Sequence, residues 1–222
     1  MPRMPETRGT CAYCGEILTK RSVDKHLLTC EKRQAALKAS SQPAETLWRL
    51  RVQDAYSKMF WLELEMRGSA SLDQLDKYLR AIWLECCGHL SEYTLGGWGG
   101  VKVAKSRKAD AVFQPKMILR HLYDFGTTSE TDIKVLGMVQ GKPVTKHPIS
   151  LLARNQIPDE TCQECDQKAV WLCMECVYDE QKSGFLCDEH VEDHEHEESP
   201  VAYVNSPRLG MCGYDGPAEP PY

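Results

Sequence analysis

Long apolar runs are missing from this chain of 222 residues: no stretch approaches the roughly twenty apolar residues that cross a bilayer as a helix. The opening Met1-Pro-Arg-Met-Pro-Glu-Thr-Arg8 lacks the apolar core of a secretory leader. An excess of positive charge is absent too. With 27 Lys and Arg against 32 Asp and Glu, the net charge of -5 gives no whole-chain case for nucleic acid. No paired cysteine set announces a secreted disulfide scaffold: the 11 cysteines are odd in number, and eight of them fall in metal-ligand spacings. These absences lead us to expect a protein of a reducing, cytoplasmic compartment without membrane contact.

What is present is metal chemistry, concentrated between Cys162 and His196. The pattern is C-x2-C-x7-C-x2-C-x10-C-x2-H-x3-H-x-H, built from Cys162, Cys165, Cys173, Cys176, Cys187, His190, His194 and His196. Eight such ligands suffice for two closed tetrahedral zinc sites. Seven residues between the first two knuckles is a short reach for folding both around one ion. An interleaved division follows, with Cys162, Cys165, Cys187 and His190 on one zinc and Cys173, Cys176, His194 and His196 on the other. The apolar lead-ins at 170–172 and 185–186 read as short strands. This module resembles the B-box family, cross-braced zinc modules that mediate protein contacts. Its surround is acidic: Asp179, Glu180, Asp188, Glu189, Glu192, Asp193, Glu195, Glu197 and Glu198 face only Lys182. Phosphate backbones would be repelled, and a protein partner is expected.

A second metal pattern opens the chain. Cys11, Cys14, His26 and Cys30 give C-x2-C-x11-H-x3-C, the spacing of a single-zinc finger. Ser22 can cap a helix from Val23, which sets His26 and Cys30 one turn apart on one face. Zinc is thus expected at three sites in all. Residues 1–40 carry eight basic side chains (Arg3, Arg8, Lys20, Arg21, Lys25, Lys32, Arg33, Lys38) against four acidic ones (Glu6, Glu16, Asp24, Glu31). An alternative role follows: contact with nucleic-acid phosphates through Lys20, Arg21 and Lys25, aided by Lys102, Lys105, Arg107 and Lys108. One finger buries little surface, however, and specific recognition usually needs several.

The residues between 45 and 157 read as an α+β domain with a mostly antiparallel sheet. Apolar and polar residues alternate at 48–52 and 59–66, the signature of strands. Ser71-Leu-Asp-Gln74 is a capping box, and Leu72, Leu75, Leu79, Ile82 and Cys86 then follow helical spacing, which predicts a four-turn amphipathic helix on the sheet. Strands are expected at 89–95, 117–123 and 131–139, a flexible loop at 96–108, and a short helix at 148–154. Boundaries are set at 1–40 for the finger, 45–157 for the central domain, 158–200 for the double zinc module and 201–222 for an extended tail.

Ser71-Leu-Asp-Gln-Leu-Asp-Lys-Tyr-Leu-Arg-Ala-Ile-Trp83, Cys87-Gly-His-Leu-Ser-Glu-Tyr93 and Leu122-Tyr-Asp-Phe-Gly126 resemble the Ri-plasmid ORF-three-like family, the passenger proteins of insertion elements. The resemblance spans about residues 47–140 and implies a fold and a plasmid or mobile-element setting, with no established chemistry. The family continues its turn with Asp-x-Trp-x-His, whereas this chain reads Thr127-Thr-Ser-Glu-Thr-Asp-Ile133.

Catalysis is not expected. Cys86 and Cys87 precede His89, but Cys86 belongs to the apolar stripe and reads as a buried structural thiol. His121 and His147 stand alone. Asp124-Phe-Gly126 has neither a glycine-rich ATP loop nor a kinase catalytic loop beside it. Cys212 lies too far along the chain to count as a ligand unless a histidine of the last pair fails. The expected function is a zinc-binding adaptor: a finger and a double zinc module flanking an α+β domain.

Overall fold

A computed structural model describes residues 7–196, 199–214 and 216, which fall into two compact units: the chain up to Leu79 with Leu90–Gln156, and Arg80–His89 with the chain from Ile157. Arg3 and Glu6 of the basic end, Glu197 and Glu198 of the acidic surround, and residues 217–222 of the tail lie outside the described residues.

The first unit is built on a nine-stranded antiparallel sheet. In chain order its elements are β1 (Arg8–Cys11), β2 (Ile17–Thr19), α1 (Val23–Thr29), α2 (Glu31–Ala39), β3 (Glu45–Asp54), β4 (Trp61–Arg67), α3 (Leu72–Leu79), β5 (Ser91–Leu95), β6 (Val101–Val103), β7 (Ile118–Tyr123), β8 (Ser129–Gly141) and β9 (Ile149–Asn155). Their spatial order is β2-β1-β9-β4-β3-β8-β7-β5-β6. The alternation read from the sequence sets the two faces. Leu50 and Val52 of β3 pair with Leu64 and Leu62 of β4 and are fully buried. The residues between them carry charge: Arg49 pairs with Glu65, and Arg51 with Glu63.

That charged side receives the N-terminal helices. Arg33 of α2 donates to Glu65 at 2.9 Å with both side chains buried, Arg49 reaches Asp24 of α1 at 2.8 Å, and Arg51 engages Glu63. Burial pushes the Glu63 carboxyl up to about 7 against the pull of Arg51. The hairpin of β1 and β2 joins the same sheet, because β1 pairs with β9. Gly9 lies under the Trp61 ring, and a Cβ there would meet that ring at 2.4 Å. The finger segment and the central domain therefore share one sheet.

The helix α3 starts on its capping box: the Ser71 N–H donates to Gln74 Oε1 at 2.9 Å, and the Gln74 N–H to Ser71 Oγ at 3.3 Å. Its next free donors, Leu72 N–H and Asp73 N–H, reach the carbonyls of Arg107 and Lys105 at 2.9 and 2.7 Å. Three expectations are corrected here. The region 96–108 is no flexible loop, since it carries β6, which pairs with β5, and it caps α3. The segment 148–154 is no helix: tertiary pairing with β4 and β1 on its two sides draws it out as β9. The four-turn helix stops being α-helical at Leu79 and passes into a π turn, Arg80–Leu84, so Cys86 leaves the apolar stripe.

The second unit has a three-stranded sheet with order β11-β10-β12, formed by β10 (Trp171–Cys173), β11 (Phe185–Leu186) and β12 (Pro200–Ala202). Two short helices, α4 (Met174–Tyr178) and α5 (Asp188–Glu192), start directly after Cys173 and Cys187 and carry Cys176 and His190. Residues 205–214 fold as successive turns that bury Ser206, Arg208 and Tyr214, where an extended tail was expected.

Candidate metal centres

Several groups of side chains in the structure could hold a metal ion, and three of them account for all twelve positions expected from spacing. The first, in the first unit, is Cys11, Cys14, His26 and Cys30. Cys11 ends β1, the turn to β2 carries Cys14, α1 holds His26, and Cys30 closes that helix. Cys11 Sγ and Cys30 Sγ stand 4.0 Å apart, and Cys14 Sγ is 3.3 Å from His26 Nε2. Tetrahedral zinc, with bonds of about 2.3 Å to sulfur and about 2.0 Å to nitrogen, sets these separations at about 3.8 and about 3.5 Å. The other ring nitrogen, His26 Nδ1, faces a Glu16 oxygen at 3.2 Å, which fixes the ring so that Nε2 points to the sulfurs.

In the second unit the eight ligands divide into Cys162, Cys165, Cys187 and His190, and Cys173, Cys176, His194 and His196. Alternate pairs thus converge, each group drawing on distant parts of the module. In the first group Cys165 and Cys187 are 3.8 Å apart, and His190 Nδ1 lies 3.6, 3.5 and 3.2 Å from the sulfurs of Cys162, Cys165 and Cys187. In the other, His196 Nδ1 stands 3.4 Å from Cys173 Sγ and 3.5 Å from Cys176 Sγ, with His194 Nε2 3.3 Å from Cys176 Sγ. The tight His-x-His end thus places both rings at the sulfurs. Short strands bring the knuckles in: β10 delivers Cys173, and β11 leads into Cys187.

Burial pushes the Cys11 thiol up to about 11, and burial together with Cys173 pushes the Cys176 thiol up to about 12. An ion at these positions must displace protons to obtain thiolates, which makes its affinity pH-dependent. The donor sets, mixed sulfur and imidazole in fours, suit zinc.

The basic residues expected to meet phosphate are placed less openly than their number suggests. Burial, with repulsion from Arg51 and Lys134, brings the Lys20 ammonium down to about 8. Lys102 pairs with Glu92 at 2.6 Å, Lys105 donates to Asp76 at 2.9 Å and to Ser91 at 2.6 Å, and Arg107 donates to the Ala111 carbonyl. Arg21, Lys25 and Lys108 are exposed. His121, expected to be an isolated residue, is fully buried and 2.7 Å from Asp76. Burial opposes ionisation of Asp76, but His121 foremost, then Ser91 and Lys105, hold its carboxyl well below the usual carboxylate range.

One further cluster escaped the sequence reading: Cys86, Cys87, His89 and Cys212. The adjacent pair and the histidine were visible as a local signal, but the fourth member lies far along the chain, beyond any spacing rule.

No protein-family model matches the chain, and no curated protein matches it. Among solved structures, the crystal structure of a protein of unknown function from Methanosarcina mazei Go1 aligns over 49% of this chain and 69% of its own, at 15% identity and a TM-score of 0.41. A likeness that slight carries no argument about function.

Proposed function

We propose that this chain is a zinc-dependent interaction protein, with three zinc ions in the groups of Cys11, Cys162 and Cys173. The observation that carries the reading is the separation of the donor atoms. Sulfur to nitrogen distances of 3.2–3.6 Å recur in all three groups, close to the edge of a zinc tetrahedron. Each group supplies four protein ligands, which closes the coordination sphere and favours a structural over a catalytic metal.

The double module then offers its surface to a partner. Asp179, Glu180, Asp188, Glu189, Glu192, Asp193 and Glu195 are exposed around the paired sites, and the one lysine among them, Lys182, is engaged by Glu180 at 3.0 Å and Glu195 at 3.6 Å. Such a surface suits a protein partner carrying basic side chains and repels phosphate. The nucleic-acid alternative, through the finger and the 102–108 segment, is weakened by the pairing of Arg33 and Lys105 with the buried carboxylates of Glu65 and Asp76. A mobile-element setting rests on the resemblance of residues 47–140 alone and carries no step of this reading.

Native mass spectrometry of the reduced protein tests the metal assignment: Cys14→Ser, Cys165→Ser and Cys176→Ser are each expected to remove one zinc. A variant that keeps the wild-type count removes its group from the proposal. Titration with duplex DNA at two salt concentrations separates the partners. Affinity that falls steeply with salt and is lost in the Lys20→Glu, Arg21→Glu, Lys25→Glu triple variant would establish the nucleic-acid role instead.

A further inference from the structure

The cluster of Cys86, Cys87, His89 and Cys212 lies wholly within the second unit, and its four donor atoms all fall within 4.8 Å of one another, the limit that also holds for the three groups above. Cys86 Sγ and Cys87 Sγ are 3.7 Å apart, close to the about 3.8 Å between sulfurs on tetrahedral zinc. His89 Nε2 is 2.9 Å from Cys87 Sγ, so the ring needs to open by about half an ångström to reach the zinc edge.

Both ends of the chain segment are held in place for this meeting. After the π turn, Gly88 adopts a left-handed conformation with φ 78° and its N–H donates to Glu85 Oε1 at 2.5 Å, turning the chain so that His89 comes back to Cys87. From the other side, Ser206 Oγ donates to the Trp83 carbonyl at 2.5 Å and accepts the Arg208 N–H at 2.8 Å. Further turns, from Met211 N–H to the Arg208 carbonyl at 3.1 Å and from Tyr214 N–H to the Met211 carbonyl at 3.0 Å, bracket Cys212. Cys212 itself is left-handed, with φ 51°, a conformation that a side chain other than glycine takes at a cost of about 1 kcal/mol or more.

The Arg208 side chain is fully buried, and its Nη2 stands 3.5 Å from Cys86 Sγ and 3.5 Å from Cys212 Sγ, so a guanidinium faces two of the three sulfurs. A disulfide between Cys86 and Cys87 would need their sulfurs at about 2.05 Å, far inside the 3.7 Å at which they stand.

We propose that Cys86, Cys87, His89 and Cys212 form a fourth structural zinc site, which ties residues 205–214 to Arg80–His89. Three thiol protons leave as the ion binds, and no oxidation is involved. Native mass spectrometry of the reduced full-length chain tests it by difference. Cys212→Ser is expected to hold one zinc fewer than wild type, whatever the total, so the outcome does not depend on the other three groups. An unchanged count overturns the site.

A second measurement on the wild type guards against a variant that fails to fold. Cys212 is exposed and, as a free thiol, would be open to iodoacetamide. Its alkylation is expected to be at least tenfold slower until a chelator is added. Equal rates before and after chelation, or a disulfide among these cysteines in the reduced preparation, overturn the proposal.

Discussion

The Cys11 group and the paired groups of the second unit use the same ligand chemistry on different foundations. Around the first, the buried neighbours are largely carbon: Leu18, Val23, Leu27, Trp61, Leu152 and Ala153 pack against Cys11 and Cys30. Around the others, the buried set is Cys162, Cys173, Cys176, Leu186 and Cys187, in which four of five members are themselves ligands. Burying a leucine stabilises by about 1.5–3 kcal/mol, while ordering each residue costs about 1–2 kcal/mol in backbone entropy. A module whose buried apolar side chains between the ligands are Ala169, Leu172 and Leu186 cannot meet that cost by apolar burial. On the proposed reading, metal would act as the core of the 161–196 module, whereas at the Cys11 group it would fasten an edge that a sheet already holds.

The largest effect should come from removing metal. Structural zinc contributes about 10–16 kcal/mol of apparent binding free energy in small modules, so chelation is expected to unfold residues 161–196 outright. Hydrogen exchange should show complete loss of protection at β10 and α4, while β3, β4 and β8 keep theirs and β1 loses only part. Equal loss in both units would break the contrast. Next in size is Trp61→Ala, which removes a fully buried ring from beneath the Cys11 group. A loss of about 3–5 kcal/mol in the first unit is expected from urea unfolding, with weaker zinc retention at Cys11 and none of the other groups affected.

Asp76→Asn sharpens the same contrast, because it damages the first unit without touching a ligand. It removes the carboxylate that His121, Ser91 and Lys105 share. Breaking a buried ion pair of this kind costs about 3 kcal/mol. The folded-state carboxyl is held down, so this contribution is present above the ordinary aspartate value of about 3.9 and is lost as pH falls below it. The difference in urea midpoint between wild type and variant should be constant from neutral pH down to about 5 and shrink in stronger acid. The zinc count should not change.

Much of this contrast was legible in the sequence, and the parts that were not share a cause. Two-residue alternation placed β3 and β4, and the capping box placed the start of α3, because local chemistry decides both. Ligand spacing picked out the twelve residues of the three groups because each knuckle or helical turn brings its own pair of donors together, while the short gap between knuckles pointed to which pairs converge. What failed depended on distant partners. β9 is a strand because β1 and β4 flank it, and the 96–108 segment is ordered because α3 draws on its carbonyls. Cys212 reaches Cys86 through turns anchored by Ser206 on a carbonyl more than a hundred residues away. No window of sequence contains those pairings.

The smallest effect concerns the groups that orient the histidine ligands. His26 Nδ1 faces Glu16 at 3.2 Å, while His196 Nε2 faces Glu175 at 3.6 Å and Glu180 at 3.9 Å. Outer partners of metal-bound histidines typically carry about 10- to 100-fold in metal affinity. Glu16 is well exposed, with 60% of its side chain accessible, so its effect should lie at the lower bound, about tenfold for Glu16→Gln. Glu175→Gln should do less, because its distance is longer and Glu180 stands beside it. Competition with a chelating dye, followed site by site through alkylation of the released cysteines, measures both. The comparison between the units predicts the structural readout as well: Glu16→Gln should weaken zinc without loosening β1, since carbon packing holds that strand, whereas any zinc lost through Glu175→Gln should appear at once as exchange in α4.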